Sequence, residues 1–194
     1  LSRVPLLDHF DFLAPYYDRL IRPPDNDTLI KAAGLPVDGL LLDAGGGTGR
    51  IASRLKGLAD SIILLDASTP MLRQAQSKGN LETLAGATEK LPFAEASFER
   101  LIMVDAYHHL EHQADSLQEC WRVLKPGGLL VVEEPDIDQF VVKLIALGEK
   151  ILFMRSHFYS GAHIAEALEQ LGAEVTIERL PPNIWITARK PPAE

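Results

Sequence analysis

Cysteine is almost absent: Cys120 is the only one in 194 residues. That excludes an internal disulfide and any zinc site built on cysteines, and it points to a reducing compartment. Positive charge is also in short supply, with 19 Lys and Arg against 27 Asp and Glu and a formal net charge of −8. A surface of that sign repels phosphate backbones, so no nucleic-acid partner is expected. No apolar run reaches the roughly 18 residues that would cross a bilayer, and Leu1-Ser2-Arg3 carries no signal-peptide pattern. A cytoplasmic protein without stable membrane insertion is expected, and the missing initiator methionine leaves room for residues upstream. No polar interval is long enough to serve as a linker, so residues 1–194 read as one domain.

What is present is concentrated in one stretch. Residues 40–49 read Leu-Leu-Leu-Asp-Ala-Gly-Gly-Gly-Thr-Gly, an apolar strand that ends in a carboxylate and falls into a glycine-rich turn. Glycines at 45, 47 and 49 allow positive φ and let backbone N–H groups approach a ligand. The spacing is GxGxG. Arg50 stands where the dinucleotide fingerprint has its last glycine, and Asp43 would repel a pyrophosphate, so a cofactor carrying positive charge suits the turn better. Ile62-Ile63-Leu64-Leu65 then ends in Asp66, a carboxylate placed to accept from both hydroxyls of an adenosine ribose. Ser68 or Thr69 is the better cap for the helix that follows.

Apolar runs of four to seven residues alternate with segments of helical period, which predicts an α/β fold, a doubly wound and mostly parallel sheet covered on both faces. Strands are expected at 39–43, 61–65, 81–84, 99–104 and 128–134. Ile51, Leu55 and Leu58, then Met71, Leu72 and Ala75, then Leu117, Trp121 and Leu124 recur at helical spacing and should face the sheet. Lys125-Pro126-Gly127-Gly128 reads as a turn into the fifth strand. Residues 173–180 and 183–190 read as strands joined by Pro181-Pro182, too short for a crossover helix, so an antiparallel hairpin should end the sheet.

These motifs, with Gly86-Ala87-Thr88-Glu89-Lys90-Leu91-Pro92-Phe93, Ser97-Phe98-Glu99-Arg100-Leu101-Ile102, His108-His109-Leu110 and Arg122-Val123-Leu124-Lys125-Pro126-Gly127-Gly128, resemble the class I S-adenosylmethionine-dependent methyltransferases over nearly the whole chain. Within them the chain is similar to the ubiquinone and menaquinone biosynthesis group, through Phe10-Asp11, Tyr17-Asp18 and Asp66-Ala67-Ser68 ahead of Met71-Leu72. The resemblance implies a Rossmann-like seven-stranded sheet and a cofactor site of Asp43, Gly45, Gly46, Gly47, Asp66, Ala67, Met71, Ala87, Thr88 and Asp105. It also exposes a departure. The family's aspartate that accepts from the adenine amino group is Ala87 here, so the backbone of Ala87 or Thr88, or the Thr88 hydroxyl, would have to take its place.

Methyl transfer from a sulfonium is an in-line displacement that needs alignment and dryness more than covalent chemistry. A base helps where the acceptor is a hydroxyl or an acidic carbon. His109 and His108 are the first candidates, followed by Tyr107, Asp105 and His157. His108 and His112 have metal-compatible i, i+4 spacing but no HExxH and no cysteine partner, so no metal is assigned. After the fourth strand stands Asp105-Ala106-Tyr107-His108, not the Asn/Asp-Pro-Pro-Tyr typical of methyltransferases acting on amide or exocyclic amine nitrogens. The acceptor is expected to be a small molecule, apolar or quinone-like, met by a helical lid over 1–38 that carries Tyr16 and Tyr17, by His157, and by an apolar helical insertion over 137–159. Residues 39–134 form the cofactor core and 160–194 a helix with the terminal hairpin. A noncatalytic S-adenosylmethionine-binding protein is the alternative, and a nicotinamide-dependent oxidoreductase is a more distant one.

Overall fold

Successive residues of the buried strands serve opposite faces of one sheet, as the period of two requires. Leu41, Leu64, Ile102 and Val131 join one core cluster, while their neighbours Leu42, Leu65, Leu101 and Leu130 join the other. The computed structural model describes residues 25–79, 81–139, 142 and 157–193. Tyr16, Tyr17, the expected lid up to residue 24 and most of the expected apolar insertion lie outside the described residues.

Seven strands follow the spatial order β3-β2-β1-β4-β5-β7-β6. They are β1 (Leu40–Ala44), β2 (Ser61–Asp66), β3 (Glu82–Ala85), β4 (Phe98–Val104), β5 (Leu124–Pro135), β6 (Glu174–Leu180) and β7 (Asn183–Arg189). The first five are parallel, and β7 pairs antiparallel with both β5 and β6. Leu180 faces Asn183 across Pro181-Pro182, so the expected terminal hairpin is present.

Helix α1 (Asn26–Ala32) and α2 (Thr69–Ser77) cover the face that holds Leu29, Leu72 and Ala75. Helix α3 (Gln113–Val123) and α4 (Gly161–Gln170) cover the other, burying Leu117, Cys120, Ile164 and Leu168. The Ser68 hydroxyl accepts the Met71 amide at 3.3 Å and caps α2, with Pro70 in its first turn. The carboxyl end of α1 is tied to the sheet where Arg100 Nε donates to the Ala33 carbonyl at 2.6 Å. That contact lies toward the amino end of β4, away from the crevice side.

Two elements differ from the sequence expectation. The helix expected after Gly49 is only a 3-10 turn at Ala52–Arg54: Gly57, at φ +79, turns the chain out before a second helical turn can form, although Ile51 and Leu55 are buried as expected. The fifth strand begins at Leu124, because Leu124 already pairs with Phe98, and Lys125-Pro126-Gly127-Gly128 forms an irregularity inside the strand before Leu129 pairs with Arg100. Gly127 stands at φ +78, and its amide donates to the Lys190 carbonyl at 2.8 Å.

Candidate active site

The strand order reverses between β1 and β4, and ligand crevices in such sheets open at the carboxyl ends of strands beside this switch. The chain leaves β1 through Gly45 and Gly46, whose amides both donate to the Leu65 carbonyl, at 2.8 and 3.2 Å. The Gly47 amide then donates to Asp66 Oδ2 at 2.8 Å, while Asp66 Oδ1 accepts the Ser68 amide at 2.7 Å. One carboxylate therefore ties the glycine turn to the start of α2. Lys78 holds the same turn from the far end of α2, its Nζ donating to the Thr48 carbonyl at 2.7 Å.

Asp43 lies beneath the turn and is buried. A Cβ on Gly46 would come within 2.7 Å of the Asp43 Cγ. Burial, opposed by the nearby Arg50 and reinforced by Asp66, raises its carboxyl to about 7. Across the switch, Asp105 adopts φ +53, and its Oδ2 meets Arg50 Nη2 at 2.9 Å. The structure thus gathers Asp43, Gly45, Gly46, Gly47, Asp66 and Asp105 around one mouth. Ala67 is exposed beside Asp66, and Met71 is buried under the cap of α2.

The β3 side is different. Ala87 is exposed, but Thr88 is buried, with its hydroxyl 2.9 Å from the Ser116 hydroxyl on α3. Ser116 Oγ also reaches the His112 carbonyl at 3.2 Å and the Thr88 hydroxyl reaches Glu89 Oε2 at 3.4 Å, so either hydroxyl can donate within the pair and Thr88 is held from two sides. Its remaining lone pairs can still accept.

The acceptor-side candidates sit on a 3-10 turn, Tyr107–His109. His108 is buried and lies between the Phe158 ring, stacked at 4.4 Å, and the His109 ring at 3.8 Å. Burial, then the neighbouring His108, holds the His109 imidazole well below the usual histidine range, so it is neutral at physiological pH. Burial, then Tyr159 and Glu134, pushes the Tyr107 phenol up, which removes it as a base. His157 is exposed, and its amide donates to the His108 carbonyl at 2.7 Å.

Sequence reasoning missed the carboxylates at the end of β5. Glu133 and Glu134 are buried, and burial, with Asp105 and Glu134 nearby, raises Glu133 to about 8. The signal was legible: two acids closing an otherwise apolar run, Leu129-Leu130-Val131-Val132, at the site end of a parallel strand. Gln113 was also missed, although it bonds the Tyr107 and His157 carbonyls.

These residues fit S-adenosylmethionine better than a cofactor bearing a pyrophosphate. Asp66 is partly exposed at the mouth and Asp105 is paired with Arg50, while Asp43 lies buried below, so the mouth gathers acids where a pyrophosphate would be repelled. A Cβ on Gly45 would come within 2.9 Å of the Ala106 Cβ, so the turn stays bare for close approach. The Asp43 Oδ2 is buried with no hydrogen-bond partner among the described residues, an acceptor left for a donor.

The fold is a Rossmann-like architecture, a seven-stranded and mostly parallel sheet with an antiparallel C-terminal hairpin. A family model described as a methyltransferase domain matches residues 42–132 of the chain. The ubiquinone/menaquinone biosynthesis C-methyltransferase UbiE of Pseudomonas fluorescens (strain SBW25) is 32% identical, over 54% of this chain and 45% of that protein. The chain thus spans about half the length of the curated relatives it matches. A SAM-dependent methyltransferase from Thermotoga maritima superposes with a TM-score of 0.77 at 24% identity, covering 95% of this chain and 100% of that one. Another from Aquifex aeolicus superposes with a TM-score of 0.70 at 19% identity, covering 97% and 99%. Likeness at such identities speaks for the fold alone. Among the described residues no helix is long and apolar enough to cross a membrane.

Proposed function

We propose that this protein transfers a methyl group from S-adenosylmethionine to a small, apolar or quinone-like acceptor. The observation that carries the reading is the Asp66 carboxylate, which shapes the glycine turn through Gly47 while standing at the end of β2, where a ribose would be held. The cofactor would be held by Asp43, Gly45, Gly46, Gly47, Asp66, Ala67, Met71 and Asp105, with Ala87 and Thr88 on the adenine side. When bound, it supplies an electrophilic methyl on a sulfonium, whose departure as a neutral thioether needs no leaving-group acid.

The chain's own task is alignment. The wall after β4 brings His109 toward the acceptor, where its neutral ring accepts a hydrogen bond or the proton lost from a hydroxyl or an acidic carbon. Tyr16 and Tyr17 of the N-terminal segment, His157 and the apolar stretch within 137–159 would close the acceptor side and keep water out. The identity of the UbiE relative over the shared domain supports a carbon acceptor on a quinol ring. The net charge of −8 speaks against a nucleic-acid substrate, and the buried lone Cys120 suits the cytoplasm.

The test is calorimetric titration with S-adenosylhomocysteine, with NADH as comparison, followed by a turnover screen on hydroquinones and phenols. Binding of the first ligand alone, with product formed, supports the reading. Binding without turnover across the panel would favour a noncatalytic cofactor-binding role, and NADH binding would return the oxidoreductase.

A further inference from the structure

The turn that carries His108 and His109 has no side-chain cap of its own, yet one buried carboxylate on β5 holds its amides. Glu134 Oε1 accepts the Ala106 and Tyr107 amides at 3.0 and 2.8 Å. Its Oε2 accepts the His108 amide at 3.3 Å and lies 2.5 Å from His108 Nδ1. A carboxyl group that already receives three N–H donors is the acceptor in this fourth contact as well, so the imidazole donates from Nδ1. The four bonds compensate the burial of a carboxylate that is only 3% exposed. From the other side, Gln113 Nε2 donates to the Tyr107 carbonyl at 2.7 Å and to the His157 carbonyl at 2.9 Å.

The consequence reaches the crevice by direct contact. The clamped segment begins at Ala106, which abuts Gly45 of the cofactor turn, and ends at His109, whose ring lies against that of His108. The His108 and His109 rings lie 3.8 Å apart, and Ala106 stands at the boundary between this wall and the glycine turn.

We infer that Glu134 is a positioning residue: through the amides of Ala106, Tyr107 and His108 and through the His108 ring, it sets the pose of His109 toward the methyl acceptor. Gln113 joins the chain returning at His157 to the same turn. Glu134 itself acts only through its neighbours. The inference rests on the methyl-transfer reading of the crevice.

The variants Glu134→Gln and Glu134→Ala test it, each compared with wild type both free and with S-adenosylhomocysteine. The readouts are imidazole nitrogen NMR, amide hydrogen exchange and calorimetric affinity. A carboxamide oxygen can keep the Ala106 and Tyr107 amides, but its NH2 group cannot accept from His108 Nδ1. In Glu134→Gln the two amides should stay protected, His108 Nδ1 should lose its acceptor and its nitrogen resonance should shift, and the His109 resonances should shift with it. S-adenosylhomocysteine affinity should stay within about threefold, because Asp66 and the glycine turn are untouched. Glu134→Ala, where it folds, should lose protection at all three amides, and the glutamine variant keeps the test decisive where it does not. Unchanged His109 resonances beside an altered His108 signal would overturn the positioning role. So would an affinity loss as large as that of Asp66→Ala, which would make Glu134 a support of the whole crevice. Failure of the wild type to bind S-adenosylhomocysteine would remove the methyl-transfer reading instead, and the imidazole comparison in the free protein would still decide the Glu134–His109 coupling.

Discussion

Asp66 Oδ2 accepts the Gly47 amide at 2.8 Å, so the carboxylate at the end of β2 shapes the glycine turn that follows β1. A residue expected to meet the ribose also fixes the backbone beneath the cofactor. Asp66→Ala should therefore lose about 1.5 to 3 kcal/mol of S-adenosylhomocysteine affinity, as expected for charged hydrogen bonds removed from a formed site. Asp66→Asn keeps one acceptor and should lose less. Calorimetric titration of folded variants decides this, and an unchanged affinity for Asp66→Ala would refute the ribose assignment.

Gly45 and Gly127 separate backbone strain from steric occlusion. Both have positive φ, +75 and +78, but a Cβ at Gly45 would lie 2.9 Å from the Ala106 Cβ, whereas at Gly127 nothing lies within 4 Å. Alanine at either position should cost about 1 kcal/mol of stability from the left-handed backbone alone. Only Gly45→Ala should also weaken S-adenosylhomocysteine binding, by about tenfold or more, since only there must the two walls of the mouth move apart. Equal affinities in the two variants would show that the Gly45–Ala106 contact has no bearing on the cofactor site.

The strands were legible because their period and termini are local properties. Leu41 and Leu42, or Leu64 and Leu65, can be assigned to a sheet buried on both faces without knowing their partners. Asp43 and Asp66 were legible for the same reason, since each ends an apolar run just before a turn. What escaped depends on neighbours remote in sequence. The segment after Gly49 has helical spacing, but Gly57 halts it after one 3-10 turn. The strand start at Leu124 depends on pairing with Phe98. The part played by Glu134 depends on amides 26 to 28 residues away, which no local pattern encodes.

Burial of Asp43 and Glu133 gives stability a definite pH dependence. Their carboxyls are raised from 3.8 to about 7 and from 4.5 to about 8, mainly by burial. The folded state therefore holds protons that the unfolded chain releases. This contribution is fully present below the unfolded values and is lost as pH rises through about 7 and about 8. The Tm of the ligand-free protein should fall between pH 5 and pH 8.5. Asp43→Asn and Glu133→Gln, each retaining shape without the titrating charge, should each flatten the fall, and thermal unfolding across that range checks it. Parallel curves for wild type and both variants would place the dependence elsewhere, in the general repulsion of a chain of net charge −8.

Arg50 is the counterweight to those carboxylates. Its guanidinium meets Asp105 at 2.9 Å with side-chain exposures of 9% and 22%, and its charge opposes the raised values of both Asp43 and Glu133. Removing it leaves buried acids without that cation, which is far more costly than losing a surface ion pair. Arg50→Met should destabilise the protein by about 3 kcal/mol or more in urea denaturation at pH 9, where Asp43 and Glu133 are ionised. Asp105→Asn, which keeps an acceptor for the guanidinium, should cost about 1 to 2 kcal/mol. The double variant should be less impaired than the sum of the two by about 1 kcal/mol or more, since the second change removes an acid that the first had stranded. Lowering the pH to 5 should shrink the Arg50→Met penalty, because Asp43 and Glu133 are then protonated and no longer need the guanidinium. A penalty that is additive with Asp105→Asn and independent of pH would mean that Arg50 stabilises the turn by packing, with its charge playing no part.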